Sequence, residues 1–139
     1  MLKQLLDNLK NNGALVHNIT NYVTVNDVAN ILLAAGASPI MSDDIEDVTD
    51  ITSICGGLNI NIGTLNQRTI PAMFAAGAKA KELSHKILLD PVGAGASKLR
   101  TNTALDLMLI TMVAAVVVGT VRVHSSRKVH GKSSFPRQY

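Results

Sequence analysis

Two spacings of apolar residues alternate along the chain, and their alternation predicts helices and strands in turn. Apolar residues that recur every three or four positions predict a helix, and short aliphatic or β-branched runs predict a strand. The first helix has Leu2, Leu5 and Leu9 on one face, and Gly13 is placed to end it. The predicted helices cover residues 2–12, 23–35, about 43–53, 66–84 and 101–112, and the predicted strands cover residues 14–19, 38–41, 58–62, 86–89 and 113–118.

Helices and strands alternate with short connections, an order typical of an α/β fold with a mainly parallel sheet. We expect residues 1–118 to form such a domain. In open sheets of this kind, ligands bind beyond the carboxyl ends of the strands. Polar residues and glycines are concentrated at these ends, and the sequence therefore predicts a binding site there. The four segments concerned are His17–Asn21, Met41–Asp44, Asn61–Thr64 and Asp90–Ala96.

Charge divides the chain near residue 119. Residues 1–119 hold eight Lys/Arg and ten Asp/Glu, whereas residues 120–139 hold five Lys/Arg and no acid. A basic segment can bind nucleic acid or a membrane surface, but only Phe135 and Tyr139 are available here for stacking on bases. The sequence therefore predicts no nucleic-acid partner, and it predicts residues 119–139 as a disordered basic tail.

The sequence also argues against a membrane or secreted protein. The apolar run at residues 107–118 has twelve residues, fewer than the roughly twenty that a spanning helix needs. Lys3 and Asp7 lie where a signal peptide would be apolar. The single cysteine, Cys55, excludes an intramolecular disulfide and fits a reducing compartment. We therefore expect a cytoplasmic protein with no membrane partner, in which Cys55 is a small buried residue at a helix end.

Several polar residues at the predicted strand ends are open to more than one interpretation. Thr20 or Asn21 can cap the following helix, contact a ligand, or do both. Met41 belongs either to the core or to a ligand pocket. The acids of residues 43–47 suggest a metal site or the solvated first turn of a helix, and their spacing favours the helix. The segment Asn61–Thr64 belongs either to the binding site or to a simple turn, in which Gly63 would supply a positive φ.

Asp90 is the strongest candidate for chemistry. It follows three apolar strand residues, and a carboxylate buried there without a partner would be costly. We therefore expect it to face an opening, where it would orient Mg²⁺ through water or interact with a substrate hydroxyl. Gly93 and Gly95 are placed for a tight turn that brings the backbone close to an anion such as phosphate.

Four blocks, in this order and spacing, closely resemble the hydroxyethylthiazole kinase family of the ribokinase-like superfamily. The resemblance extends over about residues 10–116 and implies a ribokinase-like fold. It also implies ATP- and Mg²⁺-dependent phosphorylation of the hydroxyl of 4-methyl-5-(2-hydroxyethyl)thiazole, a step of thiamine salvage. An intact member is expected to form a homotrimer with active sites between subunits. The blocks are His17–Asn21, Ala34–Met41, Leu58–Leu65 and Leu89–Ala96.

The resemblance implies a role for individual residues as well. Asn21 and Met41 would belong to the thiazole pocket, Met41 through its backbone or by packing. Asp90 would lie near Mg²⁺ and the transferred phosphate as an indirect metal contact, beside a loop shaped by Gly93 and Gly95. No catalytic residue is assigned, because the family's cysteine near the reacting hydroxyl has no counterpart and Cys55 does not match its position.

The resemblance ends near residue 116. Family members carry an Arg-Gly-Asn run followed by Glu, which contact ATP and Mg²⁺, where this sequence reads Val118-Gly119-Thr120 with no acid after it. Because this change coincides with the change in charge, we hypothesise a reading-frame shift near codon 117. The chain would then be the first half of a kinase domain, impaired or inactive. A downstream gene sequence without Gly-Asn-x-x-Glu in any frame would contradict the hypothesis.

Two other functions remain open at this point. One is a non-catalytic thiazole-binding or oligomerising fragment, which the blocks around Asn21 and Met41 support. The other is a superfamily relative that acts as an ATP-dependent nicotinamide-nucleotide-hydrate dehydratase. That enzyme needs a different substrate pocket, so the same two blocks argue against it.

Overall fold

The computed structural model describes residues 1–111 and 115–116, in which helices and strands alternate. This order confirms the predicted α/β class. The helices are α1 (Leu2–Asn12), α2 (Val25–Ala35), α3 (Val48–Ile54), α4 (Thr69–Glu82) and α5 (Lys98–Thr111). The strands are β1 (Leu15–Ile19), β2 (Ser38–Met41), β3 (Gly57–Asn61), β4 (Lys86–Asp90) and β5 (Ala115–Val116).

The described strands form one parallel sheet in the order β2-β1-β3-β4-β5. Strand β3 pairs with β1 on one side and with β4 on the other, so that Leu58 lies opposite both His17 and Ile87. Strand β2 is at an edge, where only one side needs ladder donors, and it accommodates Pro39. Because the strands are parallel, the carboxyl ends of β1 to β4 lie along the same edge of the sheet.

The hydrophobic core lies on the face of the sheet that α3 and α4 cover. Strands β3 and β4 alternate, burying Leu58, Ile60, Ile87 and Leu89 while their neighbours are more exposed. Each such side chain contributes roughly 1.5–3 kcal/mol on burial. Helix α4 meets them with small residues, which allow a close approach of helix and sheet, and α5 packs beside α4. The buried residues of α4 are Thr69, Ala72, Met73, Ala76, Gly77 and Ala80.

The opposite face of the sheet is less covered. Helix α2 packs near β2 and has no buried residue. A groove of about 550 Å³ lies between α2 and the central strands, with Ile31 and Leu88 on its walls. Ile31 is 68% exposed and Leu88 is 37% exposed. The groove is an apolar surface that the described residues leave open to solvent.

The start of α3 is where the sequence prediction was wrong. The acids of residues 43–47 were expected in its first turn, but the helix begins at Val48. Asp44 Oδ1 accepts a hydrogen bond from the Glu46 N–H at 3.0 Å, and the Ser42 hydroxyl donates to Asp47 Oδ2 at 2.5 Å. These local side-chain bonds stabilise a turn in place of a helical one.

Most other element ends agree with the predictions. Gly13 and Gly36 end α1 and α2 with φ of 57° and 93°, the left-handed region that favours glycine. Helix α4 begins at Thr69 and not at Asn66, because Asn66 Oδ1 accepts hydrogen bonds from the Arg68 and Thr69 N–H groups and stabilises a turn before the helix. Cys55 is buried at the end of α3, as predicted.

The predicted strand at 113–118 is described only at Ala115–Val116, which pair with Leu88 and Leu89. The predicted domain boundary after residue 118 and the basic segment 119–139 lie outside the described residues. Within the described part of the chain, no helix has the length and apolar character needed to cross a membrane.

Candidate functional site

A row of hydrogen-bonded side chains connects the ends of three neighbouring strands. Asn21, two residues beyond β1, donates from Nδ2 to Asn61 Oδ1 at 3.0 Å. Asn61, the last residue of β3, donates from its own Nδ2 to Asp90 Oδ2 at 2.7 Å. Asn21 and Asn61 are buried, and Asp90, at the end of β4, is half-buried. The structure thus brings together two residues that the sequence predicted for the site, Asn21 and Asp90, through Asn61.

Asn21 also organises the start of α2. Its Oδ1 accepts hydrogen bonds from the Val23 N–H at 2.9 Å and the Thr24 N–H at 3.1 Å. Asn21 therefore stabilises the turn before α2, but the prediction of Thr20 or Asn21 as the N-cap was wrong, because the N-cap is Thr24, which has no side-chain cap bond. Its contact with a substrate stays a prediction.

Gly63 allows the close approach of Asn21 and Asn61. Its N–H donates to Asn61 Oδ1 at 2.8 Å. A Cβ at this position would lie 2.8 Å from Asn61 Oδ1 and 2.9 Å from Asn21 Cβ, which is too close for either contact. The expected positive φ was wrong, because Gly63 is not among the positive-φ glycines. Glycine is needed here for space, not for a left-handed conformation.

Asp90 lies at the end of β4 with one carboxylate oxygen held by Asn61. Burial raises the pKa of the Asp90 carboxyl, and the hydrogen bond from Asn61 acts in the opposite direction. Among the described residues, no group of three or more His, Cys, Asp or Glu side chains is placed to hold a metal ion. Asp90 can therefore supply a single carboxylate to a cation, with the remaining ligands coming from elsewhere.

The loop after β4 has the tight turns that its glycines predicted. Gly93 and Gly95 have φ of 76° and 90°. The Ala94 N–H donates to Pro91 O and the Ala96 N–H donates to Gly93 O, each at 3.0 Å. The loop therefore makes two successive turns beside Asp90 before α5 begins.

Arg100 is a residue of this edge that the sequence analysis missed. It belongs to the first turn of α5, and its guanidinium donates to Ile62 O, Gly63 O and Val92 O at 2.7, 2.9 and 3.0 Å. Nothing in the local pattern around Arg100 indicates these partners, because two of them are 37 and 38 residues away along the chain. The only sequence signal was its place just after the glycine loop.

Met41 lies in the wall of a cleft between the ends of β1 and β2. A cleft of about 210 Å³ is lined by Met41, Thr20, Tyr22 and Val25, with Asn18, Ser42 and Asp43 contributing polar groups. Met41 is 37% exposed and therefore belongs to the cleft wall and not to the core. Thr20 Oγ1 is buried and has no hydrogen-bond partner among the described residues.

His17 connects the wall of this cleft to α3. It is fully buried, and its ring nitrogens lie 2.9 Å from Ser42 O and 2.9 Å from Thr52 Oγ1 of α3. Because a carbonyl only accepts, Nε2 carries the hydrogen that bonds Ser42. Burial lowers the pKa of His17. The ring thus ties the cleft wall to α3 and has a structural role.

The acids after β2 are placed on the surface. Arg68 lies 3.2 Å from Asp43 and 3.9 Å from Asp44, and all three side chains are substantially exposed. Exposed pairs of this kind contribute about 0–1 kcal/mol. The acids therefore occupy a solvated turn before α3, and not the first helical turn that their spacing favoured.

Comparison with known proteins identifies the family. A model of the hydroxyethylthiazole kinase family matches residues 6–126. The hydroxyethylthiazole kinase of Clostridium acetobutylicum is 66% identical over 108 residues, which are 78% of this chain and 40% of that protein. The Clostridium beijerinckii kinase is 62% identical over 104 residues, which are 75% of this chain and 38% of that protein.

A solved structure supports the same conclusion. The hydroxyethylthiazole kinase protein from Pyrococcus horikoshii OT3 has a TM-score of 0.79 and 40% sequence identity, over 83% of this chain and 45% of that chain. This chain spans about 40% of the length of the curated relatives it matches. A family model covers most of the sequence, and the fold agrees over the same region, so the chain belongs to the hydroxyethylthiazole kinase family.

Proposed function

We propose that the chain provides the thiazole-binding and phosphate-proximal part of a kinase that phosphorylates 4-methyl-5-(2-hydroxyethyl)thiazole with ATP. The observation that carries the proposal is the row Asn21–Asn61–Asp90, which connects the Met41 side of the sheet edge to the glycine loop. An alcohol kinase needs its acceptor and the transferred phosphoryl group held side by side, because positioning and charge stabilisation account for most of this catalysis.

The topology suggests how the alcohol would be oriented. The Met41 cleft lies at the ends of β1 and β2, and Asp90 lies two strands from β1 in the sheet order. Adjacent strands are about 4.8 Å apart, so Asp90 lies roughly 10 Å from the β1 side of the cleft and roughly 14 Å from its β2 side. The thiazole ring would occupy the cleft, and its hydroxyethyl arm would extend past Asn21 and Asn61 toward Asp90.

Asp90 is the residue of this chain that would face Mg²⁺. One carboxylate oxygen is bonded to Asn61, and hard cations of this size keep several waters and need only one or two protein carboxylates beside phosphate oxygens. A single half-buried carboxylate therefore fits an indirect contact. When bound, Mg²⁺ would neutralise charge on the transferred phosphoryl group. The backbone turns at Gly93 and Gly95 would shape the space for that group.

We propose further that the 139-residue chain by itself is impaired as a kinase. Val118-Gly119-Thr120 stands where the family pattern has Arg-Gly-Asn, and no acid follows it. A homotrimer is proposed for an intact member, and a cytoplasmic location for this one. The exposed apolar residues of α2, among them Ile31 and Leu33 at 68% and 58% exposure, support an association surface.

Calorimetry with 4-methyl-5-(2-hydroxyethyl)thiazole tests the binding part of the proposal. The chain should bind this alcohol, and Met41→Ala should weaken binding because it removes a cleft wall. Met108→Ala is a matched control: Met108 is 41% exposed on α5, away from the cleft. Binding that is lost equally in both variants, or absent from the folded wild-type chain, would contradict the proposal.

A phosphorylation assay under the same conditions tests the other part. The chain with ATP and Mg²⁺ should form little or no thiazole phosphate, whereas the Clostridium acetobutylicum relative serves as the positive control. Turnover by this chain at the relative's rate would overturn the proposed impairment. The dehydratase alternative is not favoured, because the family model and the relatives reported above are all hydroxyethylthiazole kinases.

A further inference from the structure

The Arg100 side chain connects the segments that follow two different strands. Nη1 donates to Ile62 O and Val92 O, and Nη2 donates to Gly63 O. Ile62 and Gly63 follow β3, and Val92 follows β4. Three backbone carbonyls at 2.7 to 3.0 Å therefore share one planar guanidinium. Hydrogen bonds from a charged donor are stronger than those from a neutral one.

The glycine loop is fitted around the same side chain. A Cβ added at Gly93 would lie 2.9 Å from Arg100 Cδ, so the loop backbone packs directly on the arginine stem. The next residue of α5, Thr101, accepts a hydrogen bond from the Gly95 N–H at 2.8 Å. The first turn of α5 thus holds the loop at both of its positive-φ glycines.

We infer that Arg100 is a positioning residue, which sets the separation of the β3 and β4 ends so that Asn61 and Asp90 meet. The Ile62 N–H bond to Asp90 O at 3.1 Å and the Asn61–Asp90 side-chain bond at 2.7 Å both cross the gap that Arg100 spans. Asn61 and Asp90 are also the last register pair of the β3–β4 ladder, so the guanidinium acts on the segments that follow this pair. Arg100 does not touch the proposed substrate, and it acts through Asp90 and the glycine loop.

The shape of the guanidinium, and not its charge alone, should be required. None of the ion pairs among the described residues includes Arg100, so its charge has no carboxylate partner there. Lysine keeps the charge but concentrates its donors on one nitrogen, which cannot form the fork that reaches carbonyls of two segments. Arg100→Lys should therefore fail to restore the geometry, whereas a purely electrostatic role would be rescued by lysine.

Nuclear magnetic resonance of the labelled full chain tests the inference with no substrate present. Arg100→Lys and Arg100→Met are compared with Lys98→Met, an exposed neighbour in the same turn. Both Arg100 variants should shift the Asn61 side-chain amide resonance and speed hydrogen exchange of the Ile62 amide by about tenfold, the effect of losing roughly one hydrogen bond. The Ile60 amide, within β3, should keep its wild-type exchange rate.

Two results would overturn the inference. The first is equal acceleration at Ile60 and Ile62, since general destabilisation would open the strand and its end together. The second is wild-type behaviour of Arg100→Lys. If Arg100→Met does not fold, Gly93→Ala presses on the Arg100 stem from the loop side, and the Ile62 and Asn61 signals should still shift. The functional importance of Arg100 rests on the proposed role of Asp90, whereas the test of its geometry does not. A failed kinase assay and a failed positioning test therefore remain distinguishable.

Discussion

Gly63 shows how little space the candidate site leaves at the scale of single residues. A methyl group there would meet Asn61 Oδ1 at 2.8 Å and Asn21 Cβ at 2.9 Å. Asn21 Cβ is attached to the backbone, and Asn61 Oδ1 is held by hydrogen bonds from Asn21 and Gly63. Gly63→Ala should therefore separate the two asparagines and lower the free energy of unfolding by about 1–3 kcal/mol. Urea denaturation measures this loss.

Gly57→Ala is the matched control for that substitution. Gly57 starts β3, has no positive φ, and its added Cβ would lie 3.6 Å from Lys86 O, an ordinary contact. Its free energy of unfolding should stay within about 1 kcal/mol of wild type, with an increase expected from the reduced entropy of the unfolded chain. A Gly63→Ala variant as stable as Gly57→Ala would contradict the crowding described here.

The buried hydroxyl of Thr20 should lower the stability of the folded chain. Its buried hydroxyl has no partner among the described residues, although the residue lines the Met41 cleft. An unsatisfied buried hydroxyl costs about 1–3 kcal/mol, so Thr20→Val should raise the free energy of unfolding. Thr52→Val should lower it, because the Thr52 hydroxyl bonds His17 and Val48 O. Thermal unfolding measures both changes. A change of the same sign in the free energy of unfolding of both variants would contradict this prediction.

At the scale of secondary-structure elements, periodicity and glycine placement predicted most of the fold. Gly13 and Gly36 end helices because few other residues adopt their positive φ, and this requirement is visible in the sequence. The start of α3 was not predictable in the same way, because the bonds of Asp44 and Asp47 to nearby groups compete with the helix. Local patterns do not reveal which of these competing bonds is formed.

The candidate site was predictable in position and not in detail. Asn21 and Asp90 were expected at the shared edge because parallel strands end together, and the hydrogen-bonded row confirms that they lie near one another. The sequence did not predict that Asn61 connects these two residues or that Arg100 connects two loops. Both roles depend on contacts between residues 29 to 40 positions apart. Such contacts are fixed by strand order and register, which the sequence pattern leaves open.

His17 connects β1, the segment after β2 and α3, and its titration should be visible in stability. Burial lowers its pKa below 6.5, and the Ser42 carbonyl and Asp47 carboxylate oppose this only in part. The unfolded chain therefore binds this proton at higher pH than the folded chain. The His17 contribution is complete above pH 6.5 and is lost as the pH falls below that value.

His17→Gln should flatten this decline in the free energy of unfolding below pH 6.5. His85→Gln, which changes the other described histidine, should retain it. The contribution of Asp90 to the free energy of unfolding has the opposite pH dependence. Because burial raises the pKa of Asp90 above 3.8, this contribution is complete below pH 3.8 and decreases as the pH rises. Urea denaturation at several pH values measures this dependence. If the free energy of unfolding declined equally with falling pH in the two glutamine variants, His17 would be ruled out as the cause of the decline.

At the scale of the whole molecule, the described residues leave the apolar groove beneath α2 uncovered. In the order of the described strands, β2 and β5 are the outermost. Exposed apolar surface and open strand edges promote association. The chain should therefore elute from gel filtration as concentration-dependent species larger than a monomer, and Ile31→Glu should reduce this association. A sharp monomer peak from the wild-type chain at every concentration would contradict it.

The proposed site for the thiazole alcohol is the sheet edge from Met41 to Asp90. The most direct test is to titrate the isotope-labelled chain with 4-methyl-5-(2-hydroxyethyl)thiazole and to map which amide resonances move. We predict saturable shifts at Thr20, Met41 and Asn61, and none at Ile31 and Leu88 in the groove between α2 and the central strands. Shifts confined to the groove, or no saturable shift in the folded chain, would contradict the account.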